Sequence, residues 1–315
     1  MKRQYDLSQL AWTLSGYAPH VWRFMRSMEA GATPSAEIAD VPARVPGSVR
    51  AALREAGLVP DWEIGLNFRA CEWVENRHWI YHARIPDEWL DPRATLRLHC
   101  QGLDYCGCIL VNGGEIAPFV GSHVPHVFDL TPYLQPADNV LQIVFELPPR
   151  WLGQFGYTSQ MTEWKPRFNC TWDWVPRLVQ IGIWDDLLLV ATDGNEIQRL
   201  KCTTDADVNA STGILDLSGA VGGETGHRIR VTLTQGPQLI RADDCSVAEF
   251  EKGVHWESLP IELWWPNLEG RQPLYDLRCE LLDAQGNVLD AVSRRVGFKH
   301  VEWLVQQASK GAGSA

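Results

Sequence analysis

Between residues 148 and 182 of this 315-residue chain, Trp151, Trp164, Trp172 and Trp174 fall close together, and Trp184 stands at the far edge. Indole faces suit one kind of ligand well. A pyranose presents a patch of C–H groups that lies flat on an aromatic ring, while its hydroxyls need carboxylate, amide or guanidinium partners around the edge. Asp173, between Trp172 and Trp174, supplies such an acceptor. Arg177 offers a fork of donors that could orient the stretch by pairing with Asp173 or with a neighbouring carboxylate. The bland alternative is that the indoles cover the open end of a sandwich and Asp173 caps a turn. Composition does not separate the two.

Other constellations carry less chemistry. A retaining glycosidase needs two carboxyl groups about 5–5.5 Å apart, and nothing in the spacing of Glu163, Asp173, Asp185 and Asp186 marks two of them as such a pair. Cys106-Gly107-Cys108 with His123 and His126 could be read as zinc ligands. On strands, however, neighbouring side chains point to opposite faces, and buried thiols with surface imidazoles are the simpler expectation. There is no Ser-His-Asp order and no phosphate-binding glycine loop. No catalytic residue, metal or cofactor is assigned.

The elements that must position the tryptophan-rich stretch are strands. Ser48 as N-cap, Val49 to Ala56 and then Gly57 before Pro60 read as a short helix near residues 48–57, the one convincing helix. From Trp79 onward, short β-branched and aromatic runs bounded by Gly, Pro, Asn and Asp read as strands of sandwiches or barrels, with a tight hairpin at Asn112-Gly113. Strand signals restart after Asp193-Gly194-Asn195, which reads as a linker. Two domains are expected, 1–193 and a smaller sandwich over 196–303, with 304–315 a disordered tail. The net charge of −11 argues against nucleic acid and anionic membrane as partners, since both need clustered Lys and Arg. The N-terminus has no apolar leader pattern, and the eight cysteines lack a disulfide framework's spacing, so the expectation is a cytoplasmic protein with reduced thiols.

Trp172-Asp173-Trp174 with Pro176-Arg177, then Gly182-Ile183-Trp184, resembles the signature of the β-mannosidase-type members of glycoside hydrolase family 2. The likeness extends in order through Val45 to Val49, Gly65 to Asn67, Trp73 to Tyr81, Gly102-Leu103-Asp104 and Val111-Asn112-Gly113. It resumes at Leu263 to Asn267, Gln272 to Tyr275 and Arg295 to Phe298. The resemblance implies an all-β chain, a jelly-roll (galactose-binding-like) β-sandwich followed by an immunoglobulin-like β-sandwich, without the (β/α)₈ barrel that holds the family's catalytic glutamates. It implies a terminal β-linked, mannoside-like sugar as ligand, held by Asp173 with Trp172, Trp174 and Arg177 near it. The function implied is that of a non-catalytic portion shaping a substrate pocket. The alternative is a stand-alone carbohydrate-binding module that has lost catalysis. Two departures from the family pattern bear on the loop: Arg167 to Thr171 do not follow the usual sequence, and Val175 replaces a glycine. Because valine resists positive φ, a different loop backbone is expected.

Overall fold

The computed structural model describes residues 2–26, 35–149, 163–171 and 173–303. The chain separates into two compact units, Arg3–Thr192 and Asp193 onward together with the N-terminal Met1–Lys2. Each buries its own core.

In the first unit a six-stranded antiparallel sheet runs in the order Ile38–Ala43, Trp12–Tyr17, His78–Arg84, Val140–Phe145, Cys106–Val111, Gly114–Val120. A four-stranded sheet faces it, ordered Arg3–Asp6, Leu187–Thr192, Thr95–Cys100, His126–Asp129. The faces meet through Leu14, Trp79, Tyr81, Ile143 and Phe145 on one side and Leu96, Leu98, Leu187 and Leu189 on the other. Strand alternation sends Ile80, Val144, Cys108 and Leu110 to the outer face of the larger sheet, where Tyr17 and Trp22 cover them. The central strands are therefore largely apolar on both sides, which is why Val140–Phe145 is hydrophobic everywhere but at Gln142 rather than alternating.

The hairpin forms at Asn112-Gly113, with φ of 53° and 72° and Val111 opposite Gly114, as its sequence predicts. Asn112 also accepts from the Val140 amide and donates to Tyr133 O and Asn139 Oδ1, tying the turn to two neighbouring segments. Helix α1 spans Val49–Glu55, with Ser48 capping the Ala51 amide and Gly57 beyond its end at φ 71°.

The second unit packs a three-stranded sheet (Glu196–Asp207, Thr212–Gly222, Val254–Pro260) against a four-stranded one ordered Gln238–Ser246, Arg228–Gln235, Tyr275–Leu282, Val288–Val296. Trp256, Phe250, Tyr275 and Phe298 fill the space between. A second helix, α2 at Val247–Lys252, carries a complete capping box between Ser246 and Glu249. Its S-x-x-E signature is visible in the sequence, but six residues are too few for a helical period to register. Four strands before Trp79 also went unpredicted, those at 3–6, 12–17, 38–43 and 47–48. No helix among the described residues is long and apolar enough to cross a membrane. The expected tail at 304–315 lies outside the described residues.

Candidate functional site

The tryptophan-rich loop stands on clamped legs. Strand Gly182–Ile183, at its exit, is sandwiched between Gly47–Ser48 and Leu103–Asp104. At its entry the Lys165 ammonium, fully buried, donates to Asp104 Oδ1 at 2.5 Å and to Gln180 O at 2.7 Å. Burial pulls the Lys165 pKa down, and the adjacent Asp104 carboxylate offsets part of that. Ser122 Oγ donates to the same carboxylate oxygen at 2.6 Å, and Trp184 Nε1 donates to Ser122 O at 2.7 Å. A Cβ on Gly102 would overlap the Trp184 ring. The Gly102-Leu103-Asp104 motif thus has a physical reason, because glycine admits the indole and aspartate receives the lysine.

A second clamp lies closer to the tip. Arg177 Nε and Nη2 reach Glu75 Oε1 at 2.9 and 2.6 Å, and Nη1 donates to Cys170 O at 3.3 Å. Burial works against the Arg177 charge, but Glu75 outweighs it and holds the pKa above its ordinary value. Of the two partners open to Arg177 in the sequence, the neighbouring carboxylate is the one used. Glu75 sits on the run of 3₁₀ turns at Asn67–Asn76, and no local signal links it to a residue 102 positions away. Beneath both, Arg50 of α1 is 4% exposed and donates from Nη1 to Val179 O at 3.3 Å. Substituting Arg177 with Met leaves the largely buried Glu75 carboxylate uncompensated, and an expected loss of about 2–3 kcal/mol follows, since removing one partner of a buried pair strands the other. Urea denaturation of Arg177→Met and Arg177→Lys measures it. Lysine recovers only part, because one ammonium cannot span Glu75 and Cys170 O as a planar fork does.

The tip itself is open. Thr171 takes the left-handed conformation at φ 111° and donates from Oγ1 to Val175 O at 3.0 Å. Val175 does not take a positive φ, so the valine avoids the backbone conformation that it resists and that a glycine would allow. Asp173 and Trp174 are exposed, the latter by 78%, and Trp164 by 85%. Asp173 accepts no hydrogen bond from another described residue, so it caps no turn among them, and the described indoles of the loop do not form a packed lid. Trp151 and Trp172 lie outside the described residues. Asp173, Trp174 and Arg177 line one groove of about 900 Å³, and its opposite wall comes from Trp62, Glu63, Phe68, Arg69 and Glu72. That wall is absent from the sequence-based site, because its residues are unremarkable until the fold sets them across from the loop. Glu163, Asp185 and Asp186 do not line the groove.

A separate cluster invites a metal. Donor atoms of His20, His78 and Glu146 lie within 4.8 Å of one another. Yet Trp22 Nε1 donates to His78 Nδ1 at 2.9 Å, which places the imidazole proton on the buried Nε2 and leaves no lone pair there for an ion. Glu146 is also engaged by Arg23 at 2.8 Å. Nor do the thiols of the sequence-based zinc candidate suit a metal: burial pushes Cys106 up to about 11 and Cys108 up to about 12. Burial lowers His78 to about 4, opposed by Glu146. An unfolded chain takes up this proton near pH 6.5, so the stability due to neutral His78 is full above that pH and lost as pH falls toward 4. The expected loss is on the order of 2–3 kcal/mol. It is read from urea midpoints across that window, and His78→Gln should flatten the dependence.

Each unit is a β-sandwich with its own core, and the first carries the clamped aromatic loop. Residues 22–185 match the family profile described as "Glycosyl hydrolase 2 galactose-binding domain-like", and residues 195–299 match "Glycosyl hydrolases family 2". The chain belongs to glycoside hydrolase family 2, and what it matches are that family's N-terminal, non-catalytic galactose-binding-like and immunoglobulin-like domains. Among its relatives are "Beta-mannosidase B" of Thermothelomyces thermophilus, 27% identical across 84% of this chain and 32% of the relative, and of Aspergillus clavatus, 25% identical across 84% and 33%. The chain therefore spans about a third of the length of the curated relatives it matches. A crystal structure of the β-D-mannosidase from Dictyoglomus thermophilum shares the fold with a TM-score of 0.73 at 22% identity, covering 99% of this chain and 38% of that one. A β-glucuronidase from Ruminococcus gnavus, in complex with D-glucuronic acid, gives 0.62 at 16% identity, covering 94% and 46%.

Proposed function

We propose that this chain is the pocket-shaping N-terminal portion of a β-mannosidase-like enzyme, with a jelly-roll sugar-binding-like domain over 1–193 and an immunoglobulin-like domain over 196–303. The observation that carries this reading is the exposed tip of the loop, where the Asp173 carboxylate, bound by no other described residue, stands next to the exposed Trp174 on legs clamped by Lys165 and Arg177. In the complete enzyme a terminal β-linked, mannoside-like sugar would be hydrolysed with retention through a glycosyl-enzyme, and both reacting carboxylates would come from a (β/α)₈ barrel outside these 315 residues. Asp173, Trp172 and Trp174 would contact that sugar, and Arg177 would hold the loop in register. The eight free thiols fit a reducing, cytoplasmic setting.

The immunoglobulin-like domain supports the accessory reading over that of a free-standing lectin. An apolar groove of about 300 Å³ lies between Leu263, Trp264, Trp265, Pro266, Val208 and Val301, and Leu268 nearby in sequence is 95% exposed. Contiguous exposed apolar surface marks a place where another domain sits. The stand-alone alternative draws on the first-domain groove, which one domain builds without help. The test is hydrolysis of nitrophenyl β-mannoside and its gluco and galacto counterparts by the purified chain, with calorimetric titration of mannose and an Asp173→Ala control. No turnover together with weak, Asp173-dependent binding is the expected result. Asp173-dependent turnover by the chain alone would overturn the reading.

A further inference from the structure

Five of the chain's six lysines lie among the described residues, and three of them have an evident partner. Lys2 meets Asp290, Lys165 meets Asp104, and the Lys299 ammonium stands 4.7 Å from the centre of the Trp264 ring. Lys201 and Lys252 make no hydrogen bond or ion pair to another described residue. Both line the same depression, of about 330 Å³, on the second unit. The sheet explains how they meet. In the three-stranded sheet of that unit Lys201 lies opposite Ser218, Thr203 opposite Asp216, and Asp216 opposite His255. Residues two apart on a strand share a face. Lys201, Thr203, Asp216, Ser218 and His255 therefore project together from the outer side, away from the inward Leu215, Leu217 and Trp256. Lys252 comes to the same depression from the last turn of α2, and Gly253 after it adds no side chain that could fill the space.

The one carboxylate of the depression is already taken. Asp216 Oδ1 lies 2.7 Å from His255 Nδ1, a contact that raises the imidazole pKa above its ordinary value. What remains facing the space is two ammoniums and the hydroxyls of Thr203 and Ser218, in a chain whose net charge is −11. Two ammoniums lining one small depression repel each other, and a dianion between them removes that cost. A phosphate monoester carries about 1.5 to 2 negative charges at neutral pH and three acceptor oxygens. Lysines meet such a group as point charges and hydroxyls meet it as donors. The volume, near the low end of the range of roughly 300–1,000 Å³ for small-molecule sites, suits a phosphate with a small polar body attached.

We propose that the outer face of the three-stranded sheet, between Lys201, Lys252, Thr203 and Ser218, is an anion site that takes the phosphoryl group of a small phosphate monoester. It belongs to a different unit from Asp173 and does not depend on the sugar reading. The test is calorimetric titration of the intact chain with glycerol 3-phosphate, ribose 5-phosphate and inorganic phosphate, with glycerol as the uncharged counterpart, in a chloride buffer of fixed ionic strength. Saturable binding of the esters, tighter than that of inorganic phosphate and absent for glycerol, is expected. Lys201→Met and Lys252→Met should each weaken it about ten-fold, and Lys201→Arg should retain it. Lys299→Met, which removes the same charge elsewhere on the unit, should leave it unchanged. Lys201 and Lys252 are exposed, so their variants keep the fold, which circular dichroism checks. Inorganic phosphate binding as tightly as the esters would make free phosphate the ligand and overturn the assignment to an ester. Equal losses in Lys299→Met and Lys201→Met would reduce the effect to overall charge, and absence of saturable binding by any phosphate sinks the site.

Discussion

Replacing Lys165 with Met is expected to cost the first domain about 3–5 kcal/mol, because it leaves Asp104 as an uncompensated buried carboxylate. The Lys165 side chain is 0% exposed and that of Asp104 7%, so water cannot replace the lost ammonium. For a domain of this size the cost corresponds to a fall in melting temperature on the order of 10 °C, read by scanning calorimetry. The paired substitution Lys165→Met with Asp104→Leu should recover most of the loss, since exchanging both members of a buried ion pair for apolar groups is often close to neutral. If the single variant melts like the parent, the clamp at the loop's entry is not holding it.

Gly107→Ala should lose about 3 kcal/mol or more, for a different reason. Gly107 lies in a central strand between Phe145 and Phe119, and a Cβ there would overlap the backbone carbonyl of Val144. A flexible side chain could move aside, but a carbonyl in the sheet can move only by breaking the ladder, so the cost belongs at the upper end of overpacking effects. Gly57→Ala is the matched control. It faces open space at φ 71°, so only the conformational penalty of about 1 kcal/mol applies. Equal losses from the two in chemical denaturation would contradict the steric account.

Most of the architecture was legible in the chain because its signals are local. Asn112-Gly113 demands a particular turn, Ser48 and Gly57 bracket a helix, and strands such as Val140–Phe145 announce themselves as apolar runs. The strands at 3–6, 12–17, 38–43 and 47–48 and the helix at Val247–Lys252 escaped because each is short or depends on burial that only tertiary packing supplies. The site was half legible. Asp173, Trp174 and Arg177 stand together in sequence and come together in the groove, whereas Glu75 and the wall at Trp62 and Phe68 join it through sheet topology. The Lys165–Asp104 pair joins the Gly102-Leu103-Asp104 motif, visible alone, to a lysine that no motif marks, 61 residues away. No period or spacing encodes such a meeting, which follows only from the strand order.

The clamped legs also bear on the thermodynamics of recognition. A loop that must be ordered by its ligand gives up conformational entropy at the moment of capture, about 1–2 kcal/mol for each backbone residue fixed. Here the anchoring contacts of Lys165, Arg177 and Arg50 are already made when the chain folds. The entropic penalty of those segments is absorbed during folding, and under the proposed function a sugar arriving at Asp173 would meet a largely preorganised wall. Loosening a clamp would therefore weaken binding chiefly through a more unfavourable entropy, with every group that touches the sugar still in place.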